Sequence, residues 1–472
     1  MKRPNVLVLF ADQWRARATG FDGNAQVETP HLDALADESV QFKHAIAGVP
    51  VCTPSRACFL TGQTALTHGL IVNDVPLNMR GTSAAEAFKA AGYQTAYIGK
   101  WHINNHGRSN PVPPDRRLGF DYWKALECTH NYNSSFYYEG DSTERRVWDG
   151  YDAFAQTKDA ERYLRERAGS APFFLTLAWG PPHAPYHTAP DEYRARFNPD
   201  EIQLPPNVPA EVEAAARRDL AGYYAHCAAL DDCVGSLLQT LRETGQDENT
   251  LLLFTSDHGD MLGSQGLWKK QCPWEESIRV PFLLRYPAKL GREGRIVDDA
   301  AIDLLDAMPT LLGLAEADIP NTMEGADFSA CVQGGAPPTD GAVVTACYHP
   351  FGQWRADDGC PSLGEYLRRL DEERRADILK RKAGREYRGL RTPRYSYVRS
   401  LDGPWLLYDL ENDPHQLNNL IGSPEVAEVQ GELDAWLSRR LEARGDAFLP
   451  GQAYLEEWGY QVNAHGTVPY TG

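Results

Sequence analysis

Short apolar runs alternate with stretches of helical period through the first two-thirds of the chain. NVLVLFA (5–11), TAYIG (95–99), PFFLTLAW (172–179), TLLLFTS (250–256) and VPFLLRY (280–286) have the length and continuous apolarity of strands buried on both faces. TPHLDALADES (29–39) predicts a helix capped by Thr29 with Pro30 at its first position. SAAEAFKAAG (83–92) predicts another, opened by a Ser83/Glu86 capping box and stopped by Gly92. Leu220, Tyr223, Cys227, Leu230, Val234, Leu237 and Leu241 recur at helical spacing and predict one long core-facing helix over roughly 213–243. The Asp231-Asp232 pair on it reads as a solvated face or packing detail.

DLLDAMPTLLGLA (303–315) closes this part, and the Gly- and Pro-rich QGGAPPTDG (333–341) reads as a linker. Beyond it the pattern changes. VVTACY, GLRT, YSYVR and WLLYDL predict short antiparallel strands, the charged stretch 367–386 an exposed helix or loop, and 424–443 a final helix. The expected fold class is therefore α/β. A large, mostly parallel sheet with helices on both faces takes up residues 1–335. A smaller C-terminal α+β domain, 336–472, adds a short antiparallel sheet and a helix and completes the substrate pocket. In such sheets ligands bind beyond the carboxyl ends of the strands.

A length of 472 residues and an apolar fraction of 42% allow a sizeable core. The formal charge of −18 argues against nucleic acid and anionic membrane surfaces, so an anionic substrate needs a local basic cluster. No apolar run reaches membrane-spanning length. MKRPNVLVLFADQ lacks a long apolar signal region, so the expected location is cytoplasmic as written, or periplasmic or secreted if a leader preceded it. Nine scattered cysteines without a CxxC pair predict neither a disulfide framework nor a structural zinc site.

The strand ends carry the chemistry. Asp12 follows the first strand, Lys100 and His102 follow TAYIG, His183 and His187 follow PFFLTLAW, and Asp257 and His258 follow TLLLFTS. Asp12, Asp257 and His258 form a plausible divalent-metal set, with two hard carboxylates and one nitrogen. VCTPSRACFLTG (51–62) adds a cysteine ahead of a helix: Pro54 keeps Cys52 out of that helix, Ser55 caps it, and Arg56 brings a cation to an expected anion site.

CTPSRACFLTG resembles the first signature of type I sulfatases, in the alkaline phosphatase superfamily, and GYQTAYIGKWH (92–102) resembles the second. ADQ, PPHAPY and TSDHGDMLGSQGLWKK resemble the remaining site segments in the family's order, and GLRTPRYSYV and LYDLENDPHQLNNL resemble its tail. The resemblance implies that a formylglycine-generating maturation enzyme oxidises Cys52 to an aldehyde, whose hydrate attacks the sulfate sulfur. It implies a metal held by Asp12, Cys52, Asp257 and His258. Arg56, Lys100 and Lys270 would neutralise the sulfate oxygens, His183 with Lys270 would protonate the leaving alcohol, and His102 would deprotonate the second hydroxyl. The implied ion is calcium, with manganese or magnesium as alternatives; Ala11 stands where many relatives carry an acid beside Asp12. The implied substrate is a sulfated carbohydrate. A phosphonate monoester or phosphodiester hydrolase is the second enzymatic reading, and a non-catalytic glycan- or sulfate-binding protein the third. Candidate substrate residues are His130 and Asn131 in THNYNSSFYYEGD (129–141), and His349, Trp354 and Arg355 in HPFGQWRADDG (349–359).

Overall fold

The computed structural model describes residues 3–105, 107–350, 385–461 and 468. Its large sheet is built from β1 (Asn5–Asp12), β2 (Val40–Ile46), β3 (Gln94–Lys100), β4 (Tyr122–Leu126), β5 (Phe136–Glu139), β6 (Arg146–Val147), β7 (Phe173–Pro182), β8 (Thr250–Ser256), β9 (Phe282–Arg285) and β10 (Arg295–Asp303). They lie in the order β10-β2-β9-β8-β1-β7-β3-β4-β5-β6. β8, β1, β7, β3 and β4 are mutually parallel, so their carboxyl ends share one edge. VPFLLRY, as β9, runs antiparallel between β8 and β2.

Alternate side chains of one strand feed opposite core layers. Val6, Val8 and Phe10 join the core on one face, while Leu7, Leu9 and Ala11 join that on the other. Each fully buried valine, leucine or phenylalanine among them contributes about 1.5–3 kcal/mol. The long helix Glu213–Glu243 lies on the second face, and all seven residues of its predicted stripe are buried. Cys52–Thr61, Ala84–Ala90 and Ala307–Leu314 cover the first face. The Ser83/Glu86 capping box is present.

Thr29 does not cap the Pro30–Ala36 helix with its side chain. Asp231 does so from the long helix: its carboxylate accepts from the backbone N–H of Leu32 (2.8 Å) and His31 (3.0 Å). The Asp231-Asp232 pair therefore divides into a buried cap and an exposed partner.

The predicted C-terminal strands form a four-stranded antiparallel sheet of β11 (Val343–Cys347), β12 (Tyr387–Arg391), β13 (Tyr395–Ser400) and β14 (Gly403–Asp409). Val344, Leu390, Tyr397 and Leu407 pack against Leu433, Leu437 and Leu441 of the helix Ala427–Ala443. The small sheet docks on the large one through Ala346 N–H to Gly48 O (2.7 Å) and the buried Arg391–Glu275 pair (2.7 Å). The charged stretch 367–386 lies almost wholly outside the described residues.

Candidate active site

Asp12 ends β1, Lys100 ends β3, His183 follows β7, and Asp257 and His258 follow β8, so one sheet edge gathers them all. The cysteine arrives differently from the expectation. The helix begins at Cys52 itself, with Val51 as N-cap, and Pro54 sits in its first turn, where a proline is tolerated. Ser55 is inside the helix and donates its hydroxyl to the Asp257 carbonyl instead of capping. Cys52 thus starts a helix whose N-terminal dipole favours negative charge at its side chain.

One oxygen, nitrogen or sulfur atom from each of Asp12, Cys52, Asp257 and His258 lies within 4.8 Å of the others, and all four residues are buried. Sγ of Cys52 marks the position that a formylglycine oxygen would take; it is 3.1 Å from His258 Nε2 and 4.0 Å from Asp12 Oδ1. His258 Nδ1 lies 2.9 Å from the Gly259 carbonyl, which fixes the tautomer with Nε2 free to ligate. Two carboxylates and an imidazole converging with an oxygen-bearing residue 52 fit a divalent cation.

Arg56 ties the carboxylates together. Its Nη2 donates to Asp12 (2.9 Å) and its Nε to Asp257 (3.0 Å), with all three side chains fully buried. Lys100 Nζ donates to the same Asp12 oxygen at 2.6 Å. Burial and the Cys52 sulfur push the Asp12 carboxyl up, yet Lys100 and Arg56 outweigh them and hold it well below the usual range. Asp257 moves the other way, raised by burial and then by the Asp12 charge.

Lys270, His183 and His102 flank this cluster. Lys270 Nζ lies 3.0 Å from His183 Nε2 and donates to Gln13 Oε1 at 2.6 Å. His183 Nδ1 faces the Ala184 carbonyl at 2.8 Å; burial, then Lys270, hold this imidazole neutral. His102 Nε2 meets Asp74 at 3.0 Å, Arg108 closes on the other Asp74 oxygen at 2.9 Å, and Thr53 donates to the His102 carbonyl. His102 is pushed up to about 9, because Cys128, Asp74 and Cys52 together outweigh burial.

Gln13, Asp74 and Asp260 are the site residues that sequence reasoning missed. Gln13 has a left-handed backbone (φ 68°), donates its N–H to Asp257 (2.9 Å) and its side-chain amide to Asp260 (2.5 Å). Asp260 in turn accepts from Tyr186 OH and from the Lys269 N–H. Gln13 stood in the ADQ segment beside Asp12, whereas Asp74 lies in no motif.

The predicted substrate residues separate. His130 stacks on His183 with ring centroids 4.6 Å apart, so it borders the catalytic cluster. Asn131 is exposed, with its backbone N–H on Thr129. His349 instead packs beside the backbone of Gly451. Trp354 and Arg355 lie outside the described residues.

The sulfatase family profile matches residues 4–317. The chain belongs to the sulfatase family. It is 41% identical to the ulvan-active sulfatase of Formosa agariphila, over 99% of this chain and 87% of the relative. It is 29% identical to an arylsulfatase of Clostridium perfringens, over 98% of each chain. The solved yidJ structure from Bacteroides fragilis superposes with a TM-score of 0.80 at 27% identity, covering 96% of this chain and 97% of that one. The reading of a sulfuric ester hydrolase on an α/β fold therefore stands, as does the family's general use of a divalent metal and a formylglycine. No helix among the described residues is long and apolar enough to cross a membrane.

Proposed function

We propose that this sulfatase removes sulfate from a carbohydrate, using Cys52 as the formylglycine precursor and Asp12, Asp257, His258 and residue 52 as ligands of a calcium ion. The observation that carries the reading is the convergence of those four buried residues beneath Arg56 and Lys100. The similarity to an ulvan-active sulfatase supports a sulfated saccharide over a simple aryl ester. When bound, the cation supplies Lewis-acid polarisation of the sulfate, and the formylglycine supplies a hydrated aldehyde as nucleophile.

The chain's own groups do the rest. Arg56 fixes the spacing of the two carboxylates, so neither drifts when charge builds on the sulfate. Lys270 balances the sulfate oxygens and holds a proton against His183 Nε2, from which the leaving alcohol is protonated. Asp74 accepts from His102 Nε2, leaving Nδ1, which has no hydrogen-bond partner, as the atom that exchanges a proton with an oxygen on residue 52. His130 on His183 borders the leaving-group side. Cys52 is only 2% exposed, so a formylglycine-generating enzyme reads CTPSR before the chain folds.

The test is ion chromatography of the released anion: sulfate from a panel of sulfated oligosaccharides and an aryl sulfate, and the free phosphonate from a phosphonate monoester. The account expects the fastest turnover on a sulfated oligosaccharide. Faster turnover of the phosphonate would overturn it.

A further inference from the structure

A cavity of about 830 Å³ opens where the loop after β1, strand β2, the Glu275–Arg279 segment and β12 of the small sheet meet. Among the described residues, none of the catalytic or metal-binding side chains lines it. Six cationic side chains and five carboxylates do, in a protein whose net charge is −18.

The carboxylates are unevenly used. Asp22 takes both arms of Arg279 (3.0 and 2.7 Å), and Glu275 takes both arms of Arg391 (2.7 and 3.1 Å) as well as Arg279. Arg394 is held by Asp409 and Glu411. Three cations remain without an ion pair among the described residues: Arg15, Arg17 and Lys43. Arg15 is 2% exposed, and its Nε and Nη1 are buried with no hydrogen-bond partner. Arg17 bonds only neutral acceptors, the Pro414 carbonyl (2.9 Å) and the His415 ring (3.2 Å). Glu276 also lines the cavity; Asn207 engages its Oε1 (2.7 Å), while its Oε2 has no hydrogen-bond partner and its charge acts on Arg15 and Arg17 without an ion-pair contact.

A buried guanidinium with unmet donors costs free energy unless an anion or water completes it. Its planar fork matches a tetrahedral oxyanion better than any single water does. We propose that this cavity is a second oxyanion site, separate from the catalytic pocket, which takes a sulfate group. The group is either the free ion or a sulfate carried on a sugar distant from the ester being cleaved. The sugar-borne source rests on the carbohydrate reading above; the free-ion source does not. Burial and then Arg391 push His44 down to about 4, and burial and then Arg279 lower Arg17. Neutral His44 adds no charge of its own at neutral pH, while Asp298 and Lys43 mark the open side.

The test uses selenate, a sulfate isostere visible by anomalous scattering, soaked into crystals of the full chain. A selenate peak within hydrogen-bond reach of Arg15 and Arg17 is the expected result. A peak in the catalytic pocket with none in the cavity would overturn the proposal. The source is then read from Arg17→Glu and Lys43→Glu, made separately so that misfolding of one leaves the other informative. If the anion is sugar-borne, the KM for sulfated oligosaccharides relative to that for an aryl sulfate rises about fivefold in either variant. An unchanged ratio together with a selenate peak that the variants abolish assigns the site to the free ion. Absence of turnover on every carbohydrate would sink the carbohydrate reading and leave the selenate result standing on its own.

Discussion

The floor of the site and its rim are built by different rules. On the floor, Asp12, Asp257 and His258 at strand ends and Arg56 on the Cys52–Thr61 helix are fully buried and hydrogen-bonded to fixed neighbours. On the rim, His130 is half-buried, Asn131 is exposed, and both sit on a loop. The floor therefore fixes the reaction, and the rim is free to set the substrate. A change on the floor should strike kcat and stability together, and one on the rim should strike KM alone.

The largest expected effect is from Cys52→Ala, which removes the proposed precursor of the nucleophile: sulfate release falls by at least about 10³-fold with the fold intact by circular dichroism. Arg56→Ala leaves Asp257 without its cation and Asp12 with Lys100 alone, two buried carboxylates no longer bridged. It should abolish activity and cost about 3–5 kcal/mol in chemical denaturation. Removing divalent metal with a chelator should abolish turnover and lower Tm; calcium added back restores both, and restoration by manganese but not calcium contradicts the ion proposed. Asp74→Asn keeps a hydrogen bond to His102 but loses the charge that orients it, so kcat falls about 10–100-fold with KM little changed.

Two smaller effects sharpen the contrast. Glu275, between the sheets, is pushed up by burial, but Arg391 and Arg279 outweigh this and hold it at about 2, against 4.5 for an ordinary glutamate. Its folded value is depressed, so its stabilisation is complete above pH 4.5 and is lost as pH falls toward 2. Thermal melts across that window should decline, and Glu275→Gln should flatten the decline. His130→Ala should raise KM only a few-fold with kcat unchanged, since a stacked ring at the rim contributes about 0.5–1.5 kcal/mol.

Strands β1, β3, β7 and β8 were legible because burial on both faces demands continuous apolar runs, and that pattern needs no partner to be read. The proposed catalytic residues were legible as candidates because they abut those runs or lie in the CTPSR segment. The start of the Cys52 helix was misjudged because proline restricts the residue before it in a helix interior but fits the first turn. Asp231 capping a helix two hundred positions away leaves no local trace, since the bond exists only after the faces pack. Asp74 is equally silent, sitting in a loop with no periodicity and meeting His102 only in the fold. Gln13 was in view but carries no titratable group, so a search for acids and bases passed over it. The rim candidates rested on loop composition alone, which cannot say where a loop lands: His130 stacks on His183, while His349 lies beside Gly451.

The most direct test of the central claim is the mass of the tryptic peptide carrying Cys52, from protein produced together with a formylglycine-generating enzyme. Conversion of the thiol to the aldehyde lowers the residue mass by about 18 Da. The account predicts that shift, together with sulfate release proportional to the converted fraction. Unconverted thiol in protein that releases sulfate at full rate would contradict it.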